Sequence, residues 1–138
     1  MSHIRTALER GVLTVTLDRA DKKNAITQAM YADLAEAVER AQTDAAVRVV
    51  LFLAEGDSFS AGNDIGDFAA IAMGGQRPTD MAVFRFLKGL AYLQKPAVAA
   101  VKGRAVGIGL TLLLHCDMVV VADDHGQQQG RRRLGRQG

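Results

Sequence analysis

Two glycine-rich stretches carry the residue types that chemistry at a carbonyl needs: FSAGND at residues 59–64 and KGRAVGIG at residues 102–109. Each follows an apolar run that reads as a buried strand, VRVVLFLA before the first and PAVAAV before the second. Backbone N–H groups at a strand-to-helix turn have no partner in the following helix, and that helix adds a partial positive charge. Glycine lets such a turn adopt φ values closed to other residues, and lets a ligand approach without meeting a Cβ. Two such turns, set side by side by parallel strands, can aim one N–H each at a single oxygen, the geometry of an oxyanion hole. Taken alone, either stretch reads first as an ordinary strand-to-helix turn. The second also holds two of the three glycines of a dinucleotide fingerprint, Gly107 and Gly109, with Leu112 in the third place and Asp123 where a ribose-binding acid would fall. That fingerprint normally opens the first βα unit, and it leaves SAGND unexplained.

The elements that must position these turns follow from periodicity. GVLTVTLDR sets Leu13, Val15 and Leu17 against Val12, Thr14 and Thr16, a strand with period two. DKKNAI ends it with turn residues. TQAMYADLAEAVERAQTD places Met30, Leu34, Val38 and Ala41 at near-helical spacing, an amphipathic helix. VRVVLFLA is continuously apolar, as expected of a strand covered on both faces. IGDFAAIAMGGQRPTD is mixed, broken by Gly74-Gly75 and Pro78, and DMAVFRFLKGLAYLQ is a helix that stops before Lys95-Pro96. After the short strand PAVAAV and the glycine-rich turn, LTLLLHC is apolar all round and reads as a buried helix, and DMVVVAD as another buried strand. Strands alternating with helices in this order predict an α/β fold with parallel strands joined by right-handed crossover helices.

The chain of 138 residues is long enough for one domain with a core, and with aromatics at only 5% that core must come from Ala, Val, Leu and Ile. No apolar run approaches the roughly 20 residues of a membrane span. The first residues, MSHIRTALERG, lack the apolar region of a secretory signal. A single cysteine, Cys116, excludes an internal disulfide framework. These features predict a cytoplasmic-type protein. The net charge of +2 hides an asymmetry: residues 1–124 hold 13 Lys and Arg against all 15 Asp and Glu, so −2, while residues 125–138 hold four Arg and no acid, so +4. That tail, HGQQQGRRRLGRQG, has one aliphatic residue and cannot bury itself. It reads as a solvated, passive tail, as segment that is not native (a shifted frame after Asp124), or, least favoured for want of interleaved aromatics, as a nucleic-acid-binding arm.

Four stretches together resemble the crotonase superfamily, the enoyl-CoA hydratases and isomerases: VTLDRADKKNAI, the helix that follows it, VVLFLAEGDSFSAGNDIGDF, and LQKPAVAAVKGRAVGIGLTLLLHCDMVVVAD. They agree in order and spacing from about residue 4 to 124. The resemblance implies the N-terminal portion of a crotonase-type ββα spiral that binds acyl-CoA thioesters, with coenzyme A entering as part of the substrate, no other cofactor and no metal. It implies an oxyanion hole from the amides of Asn63 and Ile108, the latter just after Gly107. Lys22, Asn24 and Ala25 match the family's loop near the CoA moiety, and Ala61, Gly62, Asn63, Asp64 and Ile65 match the strip along pantetheine and adenine. Where hydratases carry their first catalytic glutamate, this chain has Thr111, which cannot act as a carboxylate base near neutral pH. The variants SAGND and GRAVGIG look more like those of Δ3,Δ2-enoyl-CoA isomerases, whose single glutamate lies beyond the VVVAD strand. Here no glutamate follows Glu55. The family's second half, with the helices that build its trimer, has no counterpart, so the chain is expected to be a truncated form, and a non-catalytic acyl-CoA-binding protein is the competing expectation. A membrane partner is not expected.

Other candidates have plainer readings. Asp64 reads as the cap of a short helix and Asp67 as solvated, against a role for both as acids near a pocket. His115 and Cys116 end an apolar helix without partner ligands at metal spacing, and read as packing. For Lys22 and Lys23 a solvated loop and a contact with CoA phosphates stay equally open.

Overall fold

The computed structural model describes residues 3–74, 82–103 and 116–121. Five strands form one sheet, β1 (Ile4–Glu9), β2 (Val12–Leu17), β3 (Val49–Ala54), β4 (Ala97–Val101) and β5 (Met118–Val121), and their order in space is their order in the chain. From β2 to β5 every neighbouring pair is parallel, with Val12 beside Val49, Val50 beside Ala97 and Val98 beside Met118. Each crossover therefore lays the next strand on the same side of the last, and the sheet grows as a spiral in one direction.

The first strand is an addition to the sequence reading, which assigned no strand before Val12; the parallel pairing it expected holds from β2 to β5. β1 runs antiparallel to β2, with Ile4 opposite Leu17 and Glu9 opposite Val12. Its two-residue turn has both central residues left-handed, Arg10 at φ +54 and Gly11 at φ +82. That turn twist matches the twist of a hairpin's strands. IRTALE escaped notice because only Ile4 is buried; the strand lies at the sheet edge and its charged and small side chains face water.

Among the described residues three α-helices accompany the sheet: α1 (Gln28–Thr43), α2 (Ile65–Met73) and α3 (Ala82–Tyr92). α1 starts where expected, because the Thr27 hydroxyl accepts the Met30 N–H at 3.2 Å and satisfies one of the helix's orphan donors. Met30, Tyr31, Leu34, Ala35, Val38 and Ala41 form its buried stripe. The stretch from Ile65, mixed in the sequence, is a regular helix as far as Met73. α3 packs on α1 at Gly89, where a Cβ would stand 3.1 Å from Val38 Cγ1. Phe86 joins three elements: its ring centroid is 6.1 Å from that of Tyr31 on α1 and 6.4 Å from that of Phe52 on β3. Lys95, just past α3, donates to the carbonyls of Ala41 and Asp44 (2.5 and 2.8 Å) and so serves oxygens that α1 leaves unpaired at its C-terminal end.

The core lies between α1, α3 and the inward residues of the sheet: Leu13, Val15 and Leu17 on β2, Val50 and Phe52 on β3, Ala97, Ala99 and Val101 on β4, and Val119 on β5. Full burial of side chains of this kind contributes roughly 1.5–3 kcal/mol each for the larger ones. The second face of β3, expected to be covered, is half-buried among the described residues (Val49, Leu51, Leu53). Cys116 is a buried free thiol, and burial first, then the neighbouring Asp117 carboxylate, pushes its pKa up to about 12. It stays protonated, which suits a packing residue and not a nucleophile. No described helix is long and apolar enough to cross a membrane.

Candidate functional site

Because β2, β3 and β4 run parallel, their C-terminal ends share one edge of the sheet. Ligands of open parallel sheets collect at that edge, in the loops that leave it. Here those loops are residues 18–27 after β2, 55–64 after β3, and the chain from Lys102 after β4.

Asn24 ties the first two loops together. It is fully buried, at φ +57, directly after Lys23 at φ +53. Asparagine tolerates this left-handed region better than most residues. Its Oδ1 accepts the Arg19 N–H at 2.7 Å, and its Nδ2 donates to the carbonyls of Glu55 (2.7 Å) and Ser58 (2.9 Å). The Ser60 hydroxyl donates to the Asn24 carbonyl at 3.0 Å and accepts the Gly62 N–H at 3.0 Å. With these anchors residues 23–26 and 61–64 pair like short parallel strands: Ala61 N–H donates to Lys23 O (2.9 Å), Ile26 N–H to Gly62 O (2.8 Å), and Asp64 N–H to Ile26 O (2.9 Å). Asn24 thus holds the loop from inside; its side chain has no atom facing the solvent side of the turn.

The same pairing orients the Gly62–Asn63 peptide. Its oxygen is fixed by Ile26 N–H, and in a trans peptide the N–H points the opposite way. Asn63 N–H therefore faces out of the ladder, and it has no acceptor among the described residues. Gly62 itself is buried at φ +95, a conformation that other residues rarely hold. The Asn63 side chain is tethered as well: the Tyr31 hydroxyl, on α1, donates to its Oδ1 in a short hydrogen bond. Sequence reasoning passed over Tyr31, because helical spacing explains it fully as a core residue. The available signal was its chemistry, since a buried Tyr usually finds its hydroxyl a partner.

Beyond Asn63 the chain enters α2 through Asp64. Its Oδ1 caps the helix by accepting the Asp67 N–H at 2.9 Å, and its Oδ2 pairs with Arg19 Nη1 at 2.9 Å. The Asp67 backbone N–H first, and then Arg19, hold the Asp64 carboxyl below the ordinary carboxylate range. Arg19 also donates to the Ala25 carbonyl at 2.9 Å, so it bridges both loops. The capping reading of Asp64 holds. The solvated reading of Asp67 does not: its half-buried carboxylate accepts the Gln28 N–H at 2.7 Å, because the start of α1 presents unpaired N–H groups to α2.

The opening of the second glycine-rich stretch reaches the same place. Gly103 sits at φ +78, and a Cβ on it would stand 1.7 Å from the Asp57 carbonyl oxygen. The chain leaving β4 is thus pressed against the loop that carries FSAGND. Gly107, Ile108, Thr111 and His115 lie outside the described residues. Of the remaining sequence candidates, Lys22, Lys23 and Ala61 are exposed beside the turn, Ala25 is half-buried, and Ile65 presents an apolar side chain 83% exposed at the start of α2. No group of three or more metal-ligating side chains occurs among the described residues.

Comparison with known proteins agrees with this architecture. The profile of the enoyl-CoA hydratase/isomerase family matches residues 7–136, a span that runs past the change of composition at residue 124. The 1,2-epoxyphenylacetyl-CoA isomerase of Escherichia coli K12 is 36% identical over 126 residues, 88% of this chain and 48% of that one. Enoyl-CoA delta isomerase 2 of Rattus norvegicus is 37% identical over 118 residues, 83% of this chain and 30% of that one. Among solved structures, OdaA of Pseudomonas aeruginosa superposes with a TM-score of 0.80 at 52% identity, covering 88% of this chain and 48% of its own. The chain spans about half the length, or less, of the relatives it matches. Since only the first six and last two residues fall outside the family profile, the chain belongs to the enoyl-CoA hydratase/isomerase family and has the crotonase-type fold.

Proposed function

We propose that this chain binds acyl-CoA thioesters and holds the thioester oxygen on the Asn63 amide, with the Ile108 amide as the second donor that the family resemblance implies. The observation that carries this reading is the Gly62–Asn63 peptide, fixed at its oxygen by Ile26 and presenting its N–H away from the ladder. When a proton leaves C2 of an acyl thioester, negative charge grows on the carbonyl oxygen. A main-chain N–H set in advance stabilises that charge without a titrating group, and one such donor is worth about 3 kcal/mol in the transition state. Lys22 and Lys23, exposed beside the turn, offer cations for the phosphates of the coenzyme, and the strip from Ala61 to Ile65 offers backbone and the exposed Ile65 side chain along the pantetheine. Isomerisation of 3-enoyl-CoA to 2-enoyl-CoA is favoured over hydration, since Thr111 stands in the place of the hydratase glutamate.

A second reading, acyl-CoA binding without turnover, has its own support. The two carboxylates nearest Asn63 are engaged, Asp64 by Arg19 and the cap of α2, Asp67 by the start of α1. Neither is poised as a base. Assays with 3-enoyl-CoA and 2-enoyl-CoA, run beside a binding measurement with a saturated acyl-CoA, separate the two. Conversion of 3-enoyl-CoA supports the isomerase and removes the second reading. Binding without conversion of either thioester supports the second, and preference for 2-enoyl-CoA as substrate would reverse the choice between isomerase and hydratase.

A further inference from the structure

Asn63 is held from two sides, and the fold dictates only one of them. The ladder with Ile26 fixes the oxygen of the Gly62–Asn63 peptide. The Gly62 and Asp64 N–H groups on either side are held by Ser60 and Ile26, but the N–H of this peptide has no acceptor among the described residues, and the preceding residue is a glycine at φ +95, the residue type that resists rocking of a peptide least. The second hold comes from α1. Tyr31 lies in the first turn of that helix, fully buried, with its ring against Phe86. Its hydroxyl leaves the core to donate to the Oδ1 of Asn63, an exposed residue. Burial pushes the Tyr31 pKa far above the ordinary phenol value, so the group remains a donor throughout the physiological range. The contact gives the buried hydroxyl a partner, whereas the exposed asparagine could have bonded to water instead. What it fixes is the direction of the residue whose N–H faces the ligand.

We infer that Tyr31 is a positioning residue for the carbonyl-binding amide of Asn63, acting through the Asn63 side chain to aim that N–H at the thioester oxygen. The inference rests on the acyl-CoA reading above. It implies that the residue at position 63 is specified by its side chain as well as by its backbone, since Tyr31 needs an acceptor there.

The test uses the full chain and two probes. One is 2,4-hexadienoyl-CoA, whose absorption band moves to longer wavelength when its carbonyl is polarised. The other is butyryl-CoA with an isotope label at the thioester carbonyl, read by infrared difference spectroscopy. Tyr31→Phe keeps the ring and its packing. The expected result is a smaller band shift and a smaller fall in carbonyl frequency than in the parent chain, a loss of up to about tenfold in the preference for butyryl-CoA over free coenzyme A, and unchanged affinity for free coenzyme A. Asn63→Ala retains the amide and removes the tether, so it should reproduce these losses, and the double variant should add nothing further. If Tyr31→Phe keeps the parent's band shift and preference, Tyr31 does not position the amide, while the acyl-CoA reading stands. If the parent chain itself binds the probes with no shift, or does not bind them, the acyl-CoA reading falls and the role of Tyr31 with it.

Discussion

At the residue scale, the site depends on side chains that bond inside the fold. Asn24 accepts one backbone N–H and donates to two backbone carbonyls from within the core. Asn24→Ala should cost roughly 3 kcal/mol in urea unfolding, since buried polar groups lose their partners and alanine is strained at this left-handed position. The same substitution should abolish acyl-CoA binding under conditions where the chain is still folded, because the Asn24 side chain holds the carbonyls of Glu55 and Ser58 and so fixes the loop that leads into Gly62. Asp64 offers a pH signature. Its folded pKa lies below the ordinary 3.8, owing first to the Asp67 N–H and then to Arg19. The stabilisation is therefore complete above the ordinary value and is lost as pH falls through the lowered folded value. Asp64→Asn keeps an oxygen for the cap but carries no charge for Arg19, so denaturation midpoints followed between about pH 3 and pH 6 should fall less steeply on acidification than in the parent chain. Equal slopes would show that this pair is not part of the acid response. Sequence alone pointed to Asp64 as a cap, since an acid before a helix is a local pattern. It gave no sign of Arg19 or Tyr31 at the site, because their partners are 45 and 32 residues away.

At the scale of elements, the parallel pairing of β3 with β4 brings Lys102 and Gly103, the start of the second glycine-rich stretch, to the edge that carries the loop after β3. Gly103 meets that loop at Asp57. Any side chain there collides with the Asp57 carbonyl and also meets a φ of +78. Gly103→Ala should therefore lower stability by several kcal/mol through a displaced backbone, more than the roughly 1 kcal/mol that a left-handed alanine costs by itself. Thermal melting measures the first effect, and the ratio of butyryl-CoA to free coenzyme A affinity measures whether the two loops have parted. β2 and α1 were legible because burial on one face writes a period of two or 3.6 into the sequence, and β3 to β5 because they are short apolar runs bounded by turn residues. β1 was not, since a strand at an edge with one buried residue leaves no such period, and what makes it a strand is the neighbouring β2. α2 was obscured for a related reason: its apolar residues run together, and Ile65 and Met73 are exposed (83% and 87%), so no polar and apolar faces separate.

At the scale of the molecule, one aromatic cluster connects both helices to the sheet. Phe86 on α3 touches Tyr31 on α1 and Phe52 on β3 and is fully buried. Phe86→Ala should cost about 3–5 kcal/mol in chemical denaturation. Because Tyr31 leans on that ring, the variant should also weaken the discrimination between acyl-CoA and free coenzyme A before the chain unfolds; a loss of stability with discrimination intact would separate the core from the site. The sequence by itself determined the α/β alternation, the parallel pairing of β2 to β5 and the turn at Gly62, because these depend on burial patterns and on residues within a few positions of one another. It also carried the family resemblance that the comparisons bear out. Only the tertiary structure decided which N–H of the first turn has no acceptor among the described residues, that Asn24 and Arg19 hold that turn, and that a tyrosine hydroxyl reaches it from the core. Those facts depend on hydrogen bonds between segments far apart in the chain, and no local pattern of residue types encodes the direction of a donor that another segment fixes.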